Sequence, residues 1–249
     1  ALSEPHFGIG GDGIILISPS DRADAQMRIF NADGSEGKMC GNGIRCVGKY
    51  LYDNGMVGGR TTITIDTLSG VKTLELHVRD GKMQTARVDM GAAILEPAKI
   101  PVNMAGSSVI DAPLVVDEKV YHVTCVSMGN PHCVIFFNED DVDDLDLSRL
   151  GPKFEHHPLF PERINTEFVN VLPDGSLKMR VWERGSGETW ACGTGACATG
   201  VAACLNGFCK PDTDITVHLR GGDLTIRYTT ETVFMTGAAA TVFKGEIEL

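Results

Sequence analysis

Alternating apolar and polar residues mark two short stretches of the chain as β-strands, QMRIF at residues 26–30 and LKMRVW at 177–182. Each is followed by a glycine-containing loop and a helical pattern, over roughly Gly43 to Asp53 and Gly195 to Leu205. Both helical patterns end in Asn-Gly, a pair that stops a helix and begins a turn. The pattern therefore predicts a strand–loop–helix unit that the chain uses twice.

Three further alternating stretches follow each predicted helix, and they are typical of antiparallel meanders. They are TTITID, KTLELHV and QTARVDM in the first half, and DITVHL, DLTIRYT and TVFMTG in the second. Strands packed against a helix in each half predict an α+β fold class.

The two units are spaced by a constant interval, since Cys40 precedes Cys192 by 152 residues. At that interval and without gaps, MRIF falls on MRVW and CGNG falls on CGTG. Gly48 falls on Gly200. A period this long differs from solenoid repeats and indicates two copies of one domain facing each other.

The seam between the copies is predicted near EPAKIP, residues 96–101, where proline breaks the pattern. We therefore expect an N-terminal domain of residues 1–101 plus 239–249 and a C-terminal domain of residues 102–238.

The second copy also contains SMGNPHCVIF, residues 127–136, whose counterpart in the first copy would fall before residue 1. Either the natural chain is longer or the first copy is shorter. We expect a protein made only from Ala1 to Leu249 to be unstable or nearly inactive.

Composition narrows the class of partner. A chain of 249 residues, 43% of them hydrophobic, suffices for one large or two medium domains. Its net charge of −11 and lack of a basic block argue against nucleic acid as a partner. No apolar run reaches membrane-spanning length and no signal peptide opens the chain, so we expect no membrane partner and a cytoplasmic location.

Eight cysteines suggest disulfides or a zinc site. None lies in a C-x-x-C pair and their gaps do not match zinc spacings, so we expect no metal. A cytosolic chain of this length needs no disulfides, so we expect reduced thiols. Cys125 and Cys133 are predicted as strand residues. Four more are predicted as core residues: Cys46, Cys197, Cys204 and Cys209.

The two remaining cysteines, Cys40 and Cys192, each stand at the mouth of a predicted helix beside glycines. The first turn of a helix has unpaired N–H groups and a partial positive charge, which stabilise a thiolate and can hold a carboxylate. A single such site suggests a nucleophile or a redox thiol. Two related sites predict a cleft with one thiol on each side of a bound carboxylate.

That arrangement suits proton transfer at the α-carbon of an amino acid. One thiolate would remove the α-proton from one face and the opposite thiol would return a proton to the other, inverting the centre without a cofactor. A single C-G-x-G is a weak signal that usually marks a turn with a buried cysteine. Two copies in register, each opening a helix, favour the catalytic interpretation.

Four long signatures resemble those of the diaminopimelate epimerases, in the same order and over nearly the whole chain. They are FNADGSEGKMCGNGIRC, SMGNPHCVIF, FPERINTEF and ERGSGETWACGTGAC. The resemblance implies interconversion of L,L- and meso-2,6-diaminoheptanedioate for lysine and peptidoglycan synthesis. It also implies two pseudo-symmetric domains, each an antiparallel sheet or barrel around a central helix, with the active site in the cleft between them. A homodimer without pyridoxal phosphate or another cofactor is further implied.

The resemblance also implies roles for individual residues. Cys40 and Cys192 match the two catalytic acid/bases. Nine residues match groups that bind the substrate: Asn31, Gly41, Asn42, Asn130, Asn165, Glu183, Arg184, Gly193 and Thr194. His132 and Glu183 match residues that tune the thiol pKa values. The non-catalytic alternatives are turn chemistry for Asn31 and Asn165, a buried structural histidine for His132, and an exposed ion pair for Glu183 and Arg184.

Two departures from the family pattern are visible. The family opens with a stretch like H-G-x-G-N-D-F, whose asparagine contacts substrate, whereas this chain opens with ALSEPHFGIGGDG. Gly13 stands where some members carry glutamine. Two rival functions remain: a proline or hydroxyproline racemase with similarly paired cysteines, and a cysteine-rich metal- or redox-binding module that is not an enzyme.

Overall fold

The computed structural model describes residues 3–4, 6, 9–11, 13–138 and 140–246. The chain divides into two compact units of mixed α and β structure. The first comprises Ala1–Val88 with Thr236–Leu249, and the second comprises Asp89–Met235. The predicted counterpart of SMGNPHCVIF, placed before residue 1, lies outside the described residues.

The described residues of the first unit form one α-helix and a run of paired strands. Its strands are hydrogen-bonded in the order β1-β2-β4-β5-β6, and the short β3 pairs with β2. In chain order the elements are β1 (Gly13–Ser18), β2 (Ala25–Asn31), β3 (Glu36–Gly37), α1 (Gly41–Asp53), β4 (Thr62–Thr67), β5 (Gly70–Arg79) and β6 (Lys82–Asp89).

The described residues of the second unit form two α-helices and a longer run of paired strands. Its strands follow the order β14-β13-β11-β10-β9-β8-β7, with β12 on β11. The elements are β7 (Ala112–Val116), β8 (Lys119–Ser127), β9 (Pro131–Phe137), α2 (Leu147–Glu155), β10 (Asn165–Val171), β11 (Leu177–Glu183), β12 (Gly187–Thr189), α3 (Gly193–Leu205), β13 (Ile215–Leu219) and β14 (Gly222–Tyr228). The last strand, β15 (Val233–Ala238), spans the point where the chain passes back to the first unit.

The internal repeat holds at the level of strand register. The parallel pair β2–β4 aligns Ala25 with Ile65, and the parallel pair β11–β13 aligns Leu177 with Val217, each 152 residues later. The strands after each helix form antiparallel pairs as predicted. The strand before each helix pairs in parallel with the strand after it, because the helix connects them as a crossover.

The two cysteine loops are closed by the same ion pair. Arg28 Nε lies 2.6 Å from Glu36 Oε1 in the first unit, and Arg180 Nε lies 2.8 Å from Glu188 Oε1 at the equivalent positions of the second. Each pair joins a strand to the short strand that leads into a cysteine. The entry to both helices is therefore fixed in the same way.

Small residues let each helix lie directly on its sheet. A Cβ added at Gly48 would fall 2.9 Å from Leu74 Cδ2, and one at Gly200 would fall 2.7 Å from Ile226 Cγ2. Such distances are shorter than real carbon contacts, so only glycine permits this approach. The repeated contact positions the N-terminus of α1 and of α3 relative to the sheet.

The structure corrects one core assignment. Cys46 is exposed, because it lies on the solvent side of α1, between the buried Arg45 and Val47. Cys197 is buried as predicted, whereas Cys204 and Cys209 are only half-buried. Two further cysteines lie in strands as predicted, Cys125 in β8 and Cys133 in β9, in the core that α2 covers.

The unit boundary falls earlier in the chain than the predicted seam at residues 96–101. Residues from Asp89 onward belong to the second unit. Backbone hydrogen bonds explain this placement, since Met90 N–H donates to Val233 C=O at 2.9 Å and Ile94 exchanges two bonds with Ser127.

Among the described residues, every helix falls short of the length and apolar character required to cross a membrane.

Candidate active site

Cys40 is the N-cap residue of α1. Its backbone is extended, with φ −136° and ψ 119°, and its carbonyl accepts from Ile44 N–H at 2.9 Å. The Cys40 sulfur accepts from Gly43 N–H at 3.3 Å. The thiol therefore takes the place that a serine or aspartate oxygen usually occupies at a helix start.

Cys192 caps α3 in the same way. Its φ and ψ are −120° and 108°, its carbonyl accepts from Ala196 N–H at 2.9 Å, and its sulfur accepts from Gly195 N–H at 3.4 Å. Cys192 is buried and Cys40 is half-buried. Both predicted catalytic cysteines thus stand at the positive end of a 13-residue helix.

The two caps differ in what lies beside them. A Cβ at Gly43 would meet the side chain of Ile15 at 2.7 Å, whereas one at the equivalent Gly195 would meet Glu167 Oε1 at 2.6 Å. Ile15 and Glu167 are themselves equivalent positions, 152 residues apart. The Cys192 half therefore carries a carboxylate where the Cys40 half carries an apolar side chain.

The first turn of α1 contains the predicted residues Gly41 and Asn42, and a buried arginine in the second turn, Arg45, bonds to both. Arg45 Nη1 donates to Gly41 C=O at 2.9 Å and Arg45 Nη2 donates to Asn42 Oδ1 at 3.1 Å. Arg45 Nε donates to Ala238 C=O at 3.2 Å. Arg45 is not among the residues predicted from sequence, and its guanidinium fixes the turn that follows Cys40.

Asn31 stands at the end of β2 in an exposed turn. Its side-chain amide donates to Ser35 Oγ at 3.0 Å, and its backbone N–H donates to Ser35 C=O at 2.9 Å. Asp33 Oδ1 accepts from Ser35 N–H at 2.9 Å. The turn role weighed as an alternative for Asn31 is therefore present, and its predicted contact with substrate stays a prediction.

A continuous line of polar contacts runs from a buried carboxylate to the Cys192 thiol. Glu167 Oε1 lies 2.7 Å from His132 Nδ1, and His132 Nε2 lies 3.1 Å from Asn130 Oδ1. Asn130 Nδ2 donates to Thr194 Oγ1 at 3.2 Å, and Thr194 Oγ1 lies 3.5 Å from Cys192 Sγ. Three predicted residues, Asn130, His132 and Thr194, are thereby brought together beside the thiol.

Glu167 is a second site residue that sequence reasoning does not identify. Alternation along NTEFVN places it on the same face of β10 as Asn165, which is the available sequence signal. Its side chain is fully buried, and burial raises the pKa of Glu167 while His132 opposes that rise. Within the described part of the chain, its Oε2 atom has no hydrogen-bond partner.

Burial raises the pKa of the Cys192 thiol well above its ordinary value, and the carboxylates of Glu183 and Glu167 raise that pKa further. Hydrogen bonds from Thr194 and from Gly195 N–H act in the opposite direction. Desolvation therefore outweighs the helix N-terminus, which by itself predicts a stabilised thiolate.

Glu183 and Arg184 follow each other at the end of β11. The Thr189 hydroxyl donates to Glu183 Oε1, and Arg184 Nη1 donates to Glu162 C=O at 2.9 Å. Arg184 N–H donates to Asn165 Oδ1 at 2.8 Å. Among the described residues, the two charged side chains therefore bond to other partners instead of forming the ion pair weighed as an alternative.

The loop after Arg184 is anchored by a second buried carboxylate, at the end of α2. Glu155 Oε1 accepts from Gly185 N–H at 2.9 Å and from Arg163 Nη1 at 3.1 Å. Glu155 Oε2 accepts from Trp182 Nε1 at 2.7 Å. These bonds fix the backbone that presents Arg184.

The described residues contain no group of three or more His, Cys, Asp or Glu side chains suited to a metal ion.

Comparison with known proteins decides the family. The family model described as diaminopimelate epimerase matches residues 1–96 and 124–242. The chain belongs to the diaminopimelate epimerase family. It is 55% identical over its whole length to the diaminopimelate epimerases of Agathobacter rectalis and Acetivibrio thermocellus, covering 88% of each. It is 50% identical to that of Methanococcus maripaludis, with the same coverage.

Solved structures show the same fold at low identity. A hydroxyproline epimerase from Agrobacterium vitis, with bound trans-4-hydroxy-L-proline, superposes with a TM-score of 0.69 at 18% identity, covering 91% of this chain and 71% of that one. A probable proline racemase from Agrobacterium radiobacter, with bound carbonate, gives 0.72 at 15% identity, with 95% and 76% coverage. The α+β fold with two related domains is confirmed.

Family membership also confirms the predicted class of activity. The chain is an amino-acid epimerase, an isomerase, and its function fits lysine biosynthesis. Neither the proline racemase nor the metal-binding module is favoured. The individual roles of the site residues stay predictions.

Proposed function

We propose that the chain interconverts L,L- and meso-2,6-diaminoheptanedioate by proton transfer at the α-carbon, with Cys40 and Cys192 as the two acid/bases. The observation that supports this most strongly is the repeated cap. Each thiol accepts an N–H bond from the third residue of its helix, at 3.3 Å and 3.4 Å. A nucleophile or a redox thiol requires one such site, whereas inversion by an acid and a base on opposite faces of the carbon requires two.

In the proposed reaction one sulfur enters as thiolate and the other as thiol. The thiolate takes the α-proton, and the C–H electron pair passes onto the α-carbon and its carboxylate. The thiol then protonates that carbon from the opposite face, so one C–H bond breaks, one forms and no electrons leave the system. First-turn N–H groups at Gly41 and Asn42, and at Gly193 and Thr194, would stabilise the charge that develops on the carboxylate.

The distal end of the substrate carries a second ammonium and carboxylate, and the Cys192 half offers matching groups. The Arg184 guanidinium suits a carboxylate because its planar fork binds both oxygens. Glu183 suits an ammonium. Arg184 N–H donates to Asn165 Oδ1, and Gly185 N–H, in the loop after Arg184, donates to Glu155 Oε1. We assign Asn31, Asn130 and Asn165 to the remaining polar contacts with substrate.

The proposal extends to the setting of the enzyme. Proton transfer between two thiols requires no pyridoxal phosphate, so we propose a cofactor-free reaction. We also propose a homodimer in the cytoplasm, on the resemblance to the family. The proposed partner is the small-molecule substrate, without nucleic acid or membrane.

Single substitutions test the two-thiol assignment. Cys40→Ala and Cys192→Ala should each reduce epimerisation of L,L-diaminoheptanedioate to background, and the double variant should lose no more. Cys46→Ala is the matched control, because this exposed thiol lies on the same helix as Cys40 and should leave activity unchanged. Substantial turnover by either single variant contradicts the assignment, as does proline racemisation in place of diaminoheptanedioate epimerisation.

A further inference from the structure

Arg163 has a backbone conformation that arginine rarely adopts. Its φ is +60°, in the left-handed region that favours glycine and, after glycine, asparagine and aspartate. The other described non-glycine residues with positive φ are all acidic: Asp80, Asp111, Asp117, Glu118 and Asp212. Such a conformation persists only where the surrounding structure holds it, and such positions cluster at functional sites.

A tight turn and an ion pair hold Arg163 in place. Its N–H donates to Phe160 C=O at 2.9 Å, closing a turn whose second residue is Pro161, as the fixed φ of proline favours. Its guanidinium donates from Nη1 to Glu155 Oε1 at 3.1 Å. The Glu155 side chain, at the end of α2, is only 5% exposed, so the carboxylate end of this pair is fixed by packing.

Glu155 is a charged partner at neutral pH. Burial raises the pKa of the Glu155 carboxyl, but hydrogen bonds from Trp182 Nε1 and Gly185 N–H and the nearby charge of Arg163 act against burial, and the pKa lies below its usual value. A carboxylate that is both buried and ionised requires partners on several sides. Arg163 supplies a cationic one.

The conformation of Arg163 also orients a carbonyl that binds Arg184. Glu162 C=O and Arg163 N–H belong to the same peptide unit, so the φ of Arg163 sets the direction in which that carbonyl points. Arg184 Nη1 donates to Glu162 C=O at 2.9 Å. The left-handed backbone at Arg163 therefore places an acceptor against the Arg184 guanidinium.

Two further bonds connect the same two segments of chain. Arg184 N–H donates to Asn165 Oδ1 at 2.8 Å. Gly185 N–H donates at 2.9 Å to Glu155 Oε1, the oxygen that also accepts from Arg163. Arg184 is thereby held through its side chain, through its own backbone and through the residue that follows it.

We propose that Arg163 is a positioning residue of the epimerase: paired with Glu155, it directs the Glu162 carbonyl so that the Arg184 guanidinium is held where the distal carboxylate of the substrate binds. This role deepens the proposed function and rests on it, since that proposal assigns the distal carboxylate to Arg184. Arg163 acts through Glu162 and Arg184 and not on the reacting α-carbon. The family resemblance assigns no role to Arg163.

A positioning role at the distal end predicts a specific kinetic change. The distal carboxylate keeps its charge while the α-proton is transferred at the other end of the substrate. Its contact with Arg184 is therefore equally strong in the bound substrate and in the transition state. Weakening such a contact raises KM and leaves kcat nearly unchanged.

The test compares Arg163→Gly with Asp212→Gly by steady-state kinetics on L,L-diaminoheptanedioate and by urea denaturation. Glycine adopts positive φ without strain, so Arg163→Gly removes the guanidinium while the backbone conformation stays accessible. Asp212 also has φ +60°, in the turn before β13, so Asp212→Gly controls for a new glycine at such a position.

We expect KM to rise about tenfold in Arg163→Gly with kcat within about twofold of the parent, as for a weakened charge-assisted bond. Asp212→Gly should keep both parental values. Arg163→Lys should give a KM between those of the parent and Arg163→Gly, because its ammonium still pairs with Glu155 but lacks the planar fork of a guanidinium. Added to Glu155→Gln, Arg163→Gly should raise KM no further, whereas the effects of independent residues would multiply.

Several results would overturn the proposal. They are a parental KM in Arg163→Gly, a loss confined to kcat, an equal rise in KM in Asp212→Gly, and a lower urea midpoint with unchanged KM, which would assign Arg163 to stability alone. If Arg163→Gly does not fold, a parental KM in Arg163→Lys overturns it. Failure of the proposed function would be seen separately, as folded parent and folded Asp212→Gly protein that both leave the L,L substrate unchanged.

Discussion

Replacing Gly195 with alanine would place a methyl group where the carboxylate of Glu167 now lies. The added Cβ falls 2.6 Å from Glu167 Oε1 and 3.2 Å from Cys192 Sγ, whereas ordinary contacts begin near 3.4 Å. Either the new methyl group or the Glu167 carboxylate must therefore move by about 0.8 Å, the difference between 3.4 Å and 2.6 Å. Glu167 cannot rotate away easily, because His132 holds the same oxygen at 2.7 Å.

That displacement has an expected size in stability and in rate. Overpacking a buried position costs about 1–3 kcal/mol of unfolding free energy, which exceeds the gain of up to about 1 kcal/mol from replacing a helical glycine. Because Gly195 N–H donates to Cys192 Sγ, a backbone shift at Gly195 moves the reacting thiol, and a shift of about 1 Å there lowers the rate by about 100-fold. We therefore expect Gly195→Ala to be destabilised and to lose about two orders of magnitude in kcat/KM.

The repeat supplies the matched control. A Cβ at the equivalent Gly43 meets Ile15 Cδ1 at 2.7 Å, which is the free end of a half-buried side chain that can rotate. Cys40 Sγ stays at an ordinary 3.5 Å. Urea denaturation and initial-rate assays on both variants measure the contrast. If Gly195→Ala is as stable as the parent and loses no more activity than Gly43→Ala, the argument from packing around Glu167 is wrong.

Three further predictions concern Glu155, Glu167 and the two proposed catalytic thiols. Glu155→Gln should raise KM about tenfold while kcat changes little, because it weakens charge-assisted bonds that anchor the loop presenting Arg184; a change confined to kcat in steady-state kinetics would contradict this. Because the folded-state pKa of Glu167 is raised, its contribution to stability is present below the unfolded pKa and is lost as pH rises. Glu167→Gln should therefore gain stability relative to the parent as pH rises above about 4.3, the ordinary pKa of a glutamate, in urea titrations, and a constant difference would count against it. Finally, air oxidation should inactivate the enzyme, and a thiol reductant should restore it, through a bond between Cys40 and Cys192; full activity after oxidation with no such crosslink by mass spectrometry refutes this prediction.

The repeat, the strands and the helices could be predicted because each rests on local pattern. The spacing of 152 residues carries over to strand register, as in the pairings of Ala25 with Ile65 and Leu177 with Val217. Helix starts differ from the prediction by two residues, since the patterns begin at Gly43 and Gly195 while the helices begin at the residue after each cysteine. The cysteine cap adds the first turn.

Features that depend on tertiary packing could not be predicted from the sequence pattern. Cys46 lies next to the apolar Val47 in α1, but whether Cys46 is exposed depends on which face of the helix meets the sheet. Glu167 reads as an ordinary polar strand residue until α3 covers it. The raised pKa of Cys192 follows from the same burial, which opposes the local effect of the helix N-terminus. Local sequence predicts where the thiols stand, and packing decides how readily they ionise.

Solvent isotope incorporation tests the two-thiol mechanism most directly. Thiol protons exchange with water before substrate binds, so in D2O the thiol that protonates the product carries deuterium. Early turnover of L,L substrate should give meso product deuterated at the inverted carbon, while the remaining L,L pool stays largely undeuterated, as read by NMR or mass spectrometry. Substantial protium at the inverted carbon of early product would mean that one group returns the proton it removed, and would contradict the assignment of Cys40 and Cys192 as opposed acid and base.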